Sequence, residues 1–386
     1  MSTKVDTMEA PPEADRAAGA PHPRETLHLF GQSRAEADFL DAFNAGRLHH
    51  AWLISGPRGV GKATLAWRIA RFLLTQPIDS EAVGGGLFGE EAAPPAADRL
   101  DIDPDSPVYR RSAQLAEPRL CLIRRAWDAK KGKHAAQISV EEVRKLNTFF
   151  QMSAADGGRR VVIVDAADEM NPSAANALLK TLEEPPKGAT LLLVSHQPSR
   201  LLPTIRSRCR PLRLAPLGPE DLSAALDAAG FDAADHSHAL SELAGGSVGE
   251  ALRLSNQGGV DTYGEIVALM ATMPDLDRPR LLALAESCIG AANVDRYDLV
   301  CRLIDRFLTR LARTGAGRPP LIEAAKGEIE LMRRLAPEGH AAKAWAELQQ
   351  TLSARAAHAR AVNLDPAALI LDMVFEINTI ASRVAA

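Results

Sequence analysis

The sequence predicts an α/β fold followed by an all-α region. In the α/β part, a parallel sheet carries a phosphate-binding loop at the end of one strand. Over about the first 215 residues, short apolar runs alternate with helical stretches, which is the pattern of strands buried on both faces of a parallel sheet. One run leads directly into a glycine-rich turn and then a helix. After Leu217 the strand pattern ends, and the rest of the chain has helical periodicity.

The first elements follow an N-terminal arm. Residues 1–24 are rich in proline, alanine and charge and lack periodicity, which predicts disorder. We expect a helix near 35–45, a first strand over 51–54 and a second helix over 62–74. The segment 76–118 contains GGG, PP and many acidic residues, which predicts a long surface insertion.

Four further apolar runs predict the rest of the sheet, at 120–123, 161–164, 191–194 and 212–214. Helices at 140–150 and 172–184 lie between them. Asn171 can cap the second of these helices, and the following proline suits its first turn. The sequence thus divides into a predicted P-loop domain over 25–215, a small helical region over 216–260 and a larger helical domain over 261–386. Apolar stripes typical of a core run through the last domain, at Trp345, Leu348 and Leu352 and at Leu369, Ile370, Met373, Val374, Ile377 and Ile380.

The composition excludes several classes of protein. With 46% hydrophobic and 24% charged residues, the chain is an ordinary globular one. Its formal net charge of −4 argues against holding nucleic acid by overall charge, so such a contact would involve a small patch or a partner. The four cysteines are widely spaced, and no run approaches the length of a membrane span. We expect a cytoplasmic protein with reduced thiols.

The strongest local motif is GPRGVGKAT at residues 56–64. It fits G-x-x-x-x-G-K in the required position, directly after a strand and opening a helix. Gly56, Gly59 and Gly61 allow backbone N–H groups to turn toward phosphate oxygens, and Lys62 adds a positive charge. A phosphate-binding loop is therefore predicted here.

Two positions indicate that this loop no longer supports hydrolysis. A working loop has Ser or Thr after the lysine to bind magnesium, but Ala63 offers no ligand atom, and Thr64 lies about 100° further around the helix. The strand RRVVIVD ends in Asp165, the position of a magnesium-binding aspartate. Ala166 follows it, where an ATPase has the glutamate that orients water. Because both changes remove the same reaction, the sequence predicts a nucleotide site that has lost its activity.

The motifs NALLKTLEEPP at 176–186 and LLPTIRSRCRPLRL at 201–214 resemble the AAA+ clamp-loader family of bacterial DNA polymerase III. The resemblance extends over about residues 27–258. The triplet Ser207-Arg208-Cys209 is among the most specific motifs of that family. The resemblance implies that Arg208 enters the ATP site of a neighbouring subunit as an arginine finger. A guanidinium suits that role because it is always charged and spreads its donors over a phosphate.

The resemblance also implies an architecture and a set of partners. The three predicted domains would be an AAA+ P-loop domain, a helical lid and a collar that joins a ring of subunits. Motor subunits of the family have intact Lys-Ser/Thr and Asp-Glu pairs, so this chain resembles a non-motor, or stator, subunit that helps load the sliding clamp onto primed DNA during replication. The implied partners are gamma/tau and delta subunits, with the clamp and primer-template DNA reached through the polymerase complex. We expect no independent ATPase activity and at most weak binding of ATP or ADP.

Three features depart from the family pattern or have a weaker claim to function. Gly249 stands where the motor subunits have a sensor arginine, and Ser195 and His196 occupy the first-sensor region. Many family members hold zinc through four cysteines near the second strand, whereas this stretch has only Cys121. His134 cannot supply the missing ligands, and since a structural zinc needs four in close array, we expect no metal.

Two alternatives remain open from the sequence. The chain would be an ATP-hydrolysing motor of the gamma/tau kind if Thr64 and either Asp168 or Glu169 replaced the lost groups. We expect these two acidic residues to be solvated turn residues instead. A P-loop phosphotransferase is the third interpretation, and it leaves the Ser-Arg-Cys triplet without a role.

Overall fold

The computed structural model describes residues 13–16, 20–77, 96–152, 158–231, 237–337 and 341–385. The chain divides into two compact units. The first extends to Ala225 and also includes Ser247–Gly249, and the second contains Leu226–Gly246 and Glu250–Ala386. Most of the predicted lid therefore falls in the same unit as the predicted collar, and the division into three domains remains a prediction.

The sheet of the first unit has five parallel strands in the order β2-β5-β6-β1-β7. These strands are β1 (Ala51–Ser55), β2 (Leu120–Ile123), β5 (Arg160–Asp165), β6 (Ala189–Ser195) and β7 (Arg210–Arg213), and a separate antiparallel hairpin joins β3 (Trp127–Asp128) to β4 (Lys133–His134). β1 and β6 are buried along their whole length. A strand covered on both faces is mostly apolar, and these two strands contain the continuous apolar runs 51–54 and 191–194. The α/β fold class is confirmed.

Helices cover this sheet and complete the first unit. They are α1 (Ser33–Asn44), α2 (Lys62–Thr75), α3 (Pro107–Ala113), α4 (Val140–Met152), α5 (Pro172–Glu183), α6 (Pro203–Arg206) and α7 (Pro219–Ala228), the last of which continues across the boundary between the units. The start of α5 is the one that the sequence predicts, because the Asn171 side chain accepts a hydrogen bond from the Ala174 N–H at 2.8 Å.

The second unit is helical throughout its described residues. Its helices are α8 (Ser237–Ala244), α9 (Val248–Asn256), α10 (Gly259–Met270), α11 (Arg278–Glu286), α12 (Val294–Gly315), α13 (Glu328–Leu335), α14 (Ala341–Ala361) and α15 (Pro366–Ala385). The apolar stripes of α14 and α15 lie in its core, where Trp345, Ile370 and Ile377 are completely buried. No helix in the described part of the chain has both the length and the apolar character needed to cross a bilayer.

A buried ionic network ties four helices of the second unit together. Glu328, completely buried, accepts hydrogen bonds from Tyr263 at 2.5 Å and from the Arg310 Nε at 2.7 Å. The Ala324 N–H donates to its other oxygen at 2.7 Å. Arg310 also pairs with Glu242 of α8 at 2.7 Å. Every charge in the network has a close partner, which is the condition under which buried charge is tolerated.

Part of the predicted disordered arm is packed. Within residues 13–16 and 20–24, the ring of His22 is completely buried and its Nε2 lies 3.2 Å from a carboxylate oxygen of Asp15. Arg124, which follows β2, pairs with the same carboxylate at 2.5 Å. The prediction of disorder is wrong for these residues, because their charges pair with groups that are distant in sequence. Residues 1–12 and 17–19 lie outside the described chain.

The predicted surface insertion is also partly integrated into the fold. Residues 78–95 lie outside the described chain, but 96–118 include α3 and the buried Leu100. Arg68 of α2 pairs with Asp101 at 2.8 Å. The described half is therefore anchored to the helix that follows the phosphate-binding loop, which its acidic, glycine-rich composition does not indicate.

Candidate nucleotide site and arginine finger

The phosphate-binding loop lies at the carboxyl edge of the sheet, between β1 and α2. Gly59 has a φ of +75°, and a Cβ atom there would come within 2.3 Å of the Ser247 Oγ. Gly249 packs on the same glycine, and its N–H donates to the Gly59 carbonyl at 3.3 Å. Both glycines are therefore needed for close backbone approach. Gly56 and Gly61 also have positive φ, and Thr64 is partly exposed on the first turn of α2.

Lys62 is turned back onto its own loop. The side chain is only 3% exposed, and its ammonium donates hydrogen bonds to the carbonyls of Gly56, at 2.8 Å, and of Pro57. Burial lowers the pKa of Lys62 to about 8, although the charges of Asp165 and Asp168 partly oppose this shift. A phosphate would have to compete with two backbone carbonyls for this cation.

The part of the site that would bind magnesium and orient water is deficient in three ways. Burial, together with the charge of Asp15, raises the pKa of Asp165 to about 7, so this carboxyl is partly protonated near neutral pH. Ala166, which follows it, is buried and apolar. Ala63 stands where a hydroxyl ligand would be required. These residues do not fit a magnesium-nucleotide complex of the hydrolytic kind.

Asp168 and Glu169 are not solvated turn residues, and that expectation is wrong. They lie in a 3-10 turn at Ala167–Glu169, directly after β5 and Ala166. Asp168 is buried, and its Oδ1 accepts the His196 N–H at 2.8 Å, which joins the turn to the end of β6. Glu169 pairs with Arg125 at 2.8 Å and with Arg58 at 3.4 Å. Both carboxylates therefore have structural partners.

Polar groups at the end of β6 are the part of the site that best fits a polar ligand. The Ser195 Oγ and the His196 Nδ1 are buried and lack hydrogen-bond partners within the described chain. Burial lowers the pKa of His196 to about 4, and the positive charges of Lys62 and Arg58 act in the same direction, so the ring is neutral at pH 7. Buried polar atoms usually have a partner, which makes this position suitable for a phosphate or a water molecule. Burial of Ser195 is not evident from the sequence, because serine is common at strand ends.

The Ser-Arg-Cys triplet presents its arginine at the surface. Cys209 is buried, and burial raises its thiol pKa to about 12, so it serves as an apolar anchor. Ser207 is exposed and donates to the Thr204 carbonyl at 3.2 Å. The Arg208 side chain is 37% exposed; its Nη2 lies 3.0 Å from the Glu183 Oε1, and its Nη1 donates to the same Thr204 carbonyl at 3.1 Å. Arg208 is thus held in the isolated chain by exposed groups alone.

The structure brings no group of metal-binding side chains together within the described residues. Cys121 lies in the middle of β2, opposite Val162 of β5, where burial raises its pKa to about 11. A neutral thiol within a sheet is poorly placed to bind a metal. All four cysteines of the chain are free, and the absence of zinc stays a prediction.

The order of the strands, the phosphate-binding loop after β1 and the aspartate at the end of β5 define a P-loop α/β module of the AAA+ type. Residues 95–218 match the family described as "DNA polymerase III, delta subunit". The chain resembles the delta-prime subunit of DNA polymerase III, as its motifs predict, and the alphaproteobacterial form of that subunit suggested by the same motifs stays a prediction.

Three curated relatives show the extent of this similarity. The delta-prime subunit of Pseudomonas aeruginosa is 39% identical over 222 residues, which cover 56% of this chain and 59% of that protein. The delta-prime subunit of Escherichia coli is 34% identical over 175 residues, covering 45% of each chain. The tau subunit of Salmonella typhimurium is 28% identical over 277 residues, which are 70% of this chain and 39% of that protein. The chain thus spans about half of the length of the delta-prime relatives that it matches.

One solved structure also aligns with the chain. It is a DNA polymerase III gamma subunit-related protein from Thermotoga maritima, aligned over 89% of this chain with 17% sequence identity and a TM-score of 0.38.

Proposed function

We propose that this chain is a non-motor subunit of the clamp loader in the DNA polymerase III holoenzyme. It helps load the sliding clamp onto primed DNA and supplies Arg208 to ATP bound by a neighbouring subunit. Its direct partners are gamma/tau and delta subunits in the cytoplasm, and the clamp and the primer-template junction are reached through the complex. This assignment is supported by the match of residues 95–218 to the family described as "DNA polymerase III, delta subunit" and by the 39% identity to the delta-prime subunit of Pseudomonas aeruginosa.

The observation that carries the proposal is the state of the nucleotide site. Lys62 is engaged by its own loop, Asp165 is partly protonated, and Ala63 and Ala166 lack the groups needed for hydrolysis. Hydrolysis of ATP depends on positioned magnesium and an oriented water molecule, and the site supports neither. The chain therefore acts on the ATP of another subunit.

The Arg208 side chain can exchange its partner in this chain for a phosphate bound by a neighbouring subunit. Its pairing with Glu183 is solvent-exposed, since the two side chains are 37% and 50% exposed. Exposed ion pairs contribute about 0–1 kcal/mol, so exchange of the carboxylate for a γ-phosphate costs the chain little. The planar guanidinium then places several donors on the oxygens that gain negative charge in the transition state.

Mutation of this arginine in the reconstituted complex tests the proposal. Arg208→Ala should leave complex formation unchanged and lower the ATPase activity stimulated by DNA and clamp. An arginine finger contributes about 10³–10⁵ at one site, but the loss for the whole complex is smaller because other sites keep their own fingers. Arg208→Lys should restore little of this ATPase activity, because an ammonium lacks the planar, forked set of donors of a guanidinium.

The matched control is Arg206→Ala, which removes an exposed arginine two residues earlier, at the end of α6. Its complexes should hydrolyse ATP and load clamps at the wild-type rate. Wild-type activity of the Arg208→Ala complex, with normal assembly, would show that the chain does not supply a finger.

The second candidate is a motor of the gamma/tau kind, which shares the P-loop module. The structure counts against it, because Asp168 is engaged by the His196 N–H and Glu169 by two arginines. Purified chain should hydrolyse essentially no ATP. Steady turnover at about 1 per second, abolished by Lys62→Ala, would establish the motor instead.

A further inference from the structure

The β3–β4 hairpin concentrates positive charge in a chain that is acidic overall. Three of the ten lysines of the sequence occur within four residues, as Lys130, Lys131 and Lys133, whereas the whole chain has a formal net charge of −4. All three side chains are exposed. The positive charge is thus local to one small element.

The turn of the hairpin has a defined conformation. The Asp128 carboxylate accepts the N–H groups of Lys130 and Lys131 at 3.0 and 3.2 Å, and Gly132 takes the left-handed conformation with φ +59°. Asp128 also lies opposite Lys133 in the register of the two strands. The lysines are therefore presented from an ordered turn and not from a disordered run.

Contacts at the base of the hairpin fix it to the sheet. The rings of Trp127 and His134 pack edge to face across the two strands, with centroids 4.9 Å apart. Arg125, just before β3, pairs with Glu169 in the turn after β5. After β4, Ile138 forms a parallel bridge with Met170 of the same region. Both ends of the hairpin are thus tied to the segment that follows Asp165.

The positive charge of the hairpin is poorly neutralised by the chain itself. Lys131 lies 3.5 Å from Asp128, but Lys130 and Lys133 have no ion pair within the part of the chain that the structure describes. A run of lysines is commonly a solvated face. Here one carboxylate pairs with Lys131 alone, and the ammonium groups of Lys130 and Lys133 on the same ordered turn remain available to phosphate groups.

We propose that the β3–β4 hairpin binds the phosphate backbone of DNA, with Lys130, Lys131 and Lys133 as the contacting residues. Lysines act as point charges toward phosphate and carry no base specificity, so the contact is independent of sequence. This inference goes beyond the proposed function, which gives this chain a role in ATP hydrolysis by a neighbour and assigns it no DNA contact of its own.

The experiment measures binding of the full chain to a fluorescein-labelled DNA duplex and to the corresponding single strand, by fluorescence anisotropy over a series of salt concentrations. The test variant replaces Lys130, Lys131 and Lys133 with alanine. Because each neutralised phosphate contributes about 0.7–0.9 to the slope of log affinity against log salt, the variant should lose about 2–3 from that slope. Over a fourfold rise in salt, the wild type should therefore weaken about 20- to 40-fold more than the variant.

The matched control replaces Lys187, Lys326 and Lys343, which are exposed lysines elsewhere, with alanine. It changes the net charge by the same amount and should keep the wild-type affinity and salt slope. Circular dichroism confirms that both triple variants are folded. The proposal is overturned if the hairpin variant keeps the wild-type salt slope, or if both triple variants lose the same amount of slope. It is also overturned if the wild type does not bind DNA at low salt. Competition by polyglutamate as effective as that by DNA also overturns it and indicates an acidic protein partner. The test of Arg208 is independent, so either proposal can fail without the other.

Discussion

Removal of the Lys62 ammonium should change how the stability of the folded chain depends on pH. In the unfolded chain this group has a pKa near 10.5, and burial lowers it to about 8 in the fold. Between these values the unfolded state binds more protons, so Lys62 makes the free energy of unfolding rise with pH. Lys62→Met lacks this contribution. Between about pH 7.5 and about pH 10, the free energy of unfolding of the wild type should rise by about 2 kcal/mol relative to that of the variant.

The measurement is urea unfolding at several pH values, followed by tryptophan fluorescence. Three of the four tryptophans, Trp52, Trp67 and Trp127, lie in the first unit and report on its unfolding. Lys180→Met, at an exposed lysine on α5, is the control and should show no such gain relative to the wild type. If the free energies of unfolding of the wild type and of Lys62→Met differ by the same amount at every pH, the ammonium is not buried in the loop.

Two other predictions concern the buried network and the metal. Glu328→Ala should destabilise the second unit by about 3–5 kcal/mol, because it leaves the Arg310 cation buried without its main partner. Glu330→Ala, at an exposed position, is the control and should lower the free energy of unfolding by less than about 0.5 kcal/mol. Urea unfolding measures both. Elemental analysis of protein purified without chelator should find no stoichiometric zinc, since Cys121 is neutral and lies within a strand; one zinc per chain would contradict this.

The sheet and the loop were predictable from the sequence because their signals are local. Strands buried on both faces give continuous apolar runs, and all five runs predicted as strands lie in the parallel sheet. The hairpin was not predictable in the same way. β3 and β4 have two residues each, too few for any alternation to be recognised, although the cluster of lysines was visible.

The features missed at the site depend on contacts between distant residues. Asp168 looks like a solvated turn residue until β6 brings the His196 N–H to it. Asp15 belongs to a segment with the composition of a disordered arm, and its order comes from Arg124, more than one hundred residues away. Composition reports on the average environment of a segment and cannot show a specific ion pair.

The changes at the nucleotide site support one another. An ordinary P-loop lysine has phosphate oxygens as partners, and without them a buried ammonium must find other acceptors. Lys62 finds them in the carbonyls of Gly56 and Pro57, which would themselves lose a partner if the lysine were absent. Gly249 lets its backbone approach Gly59 closely. The lysine and the glycines thus have a structural role in a loop that no longer needs magnesium, and this explains why a phosphate-binding motif persists beside Ala63 and Ala166.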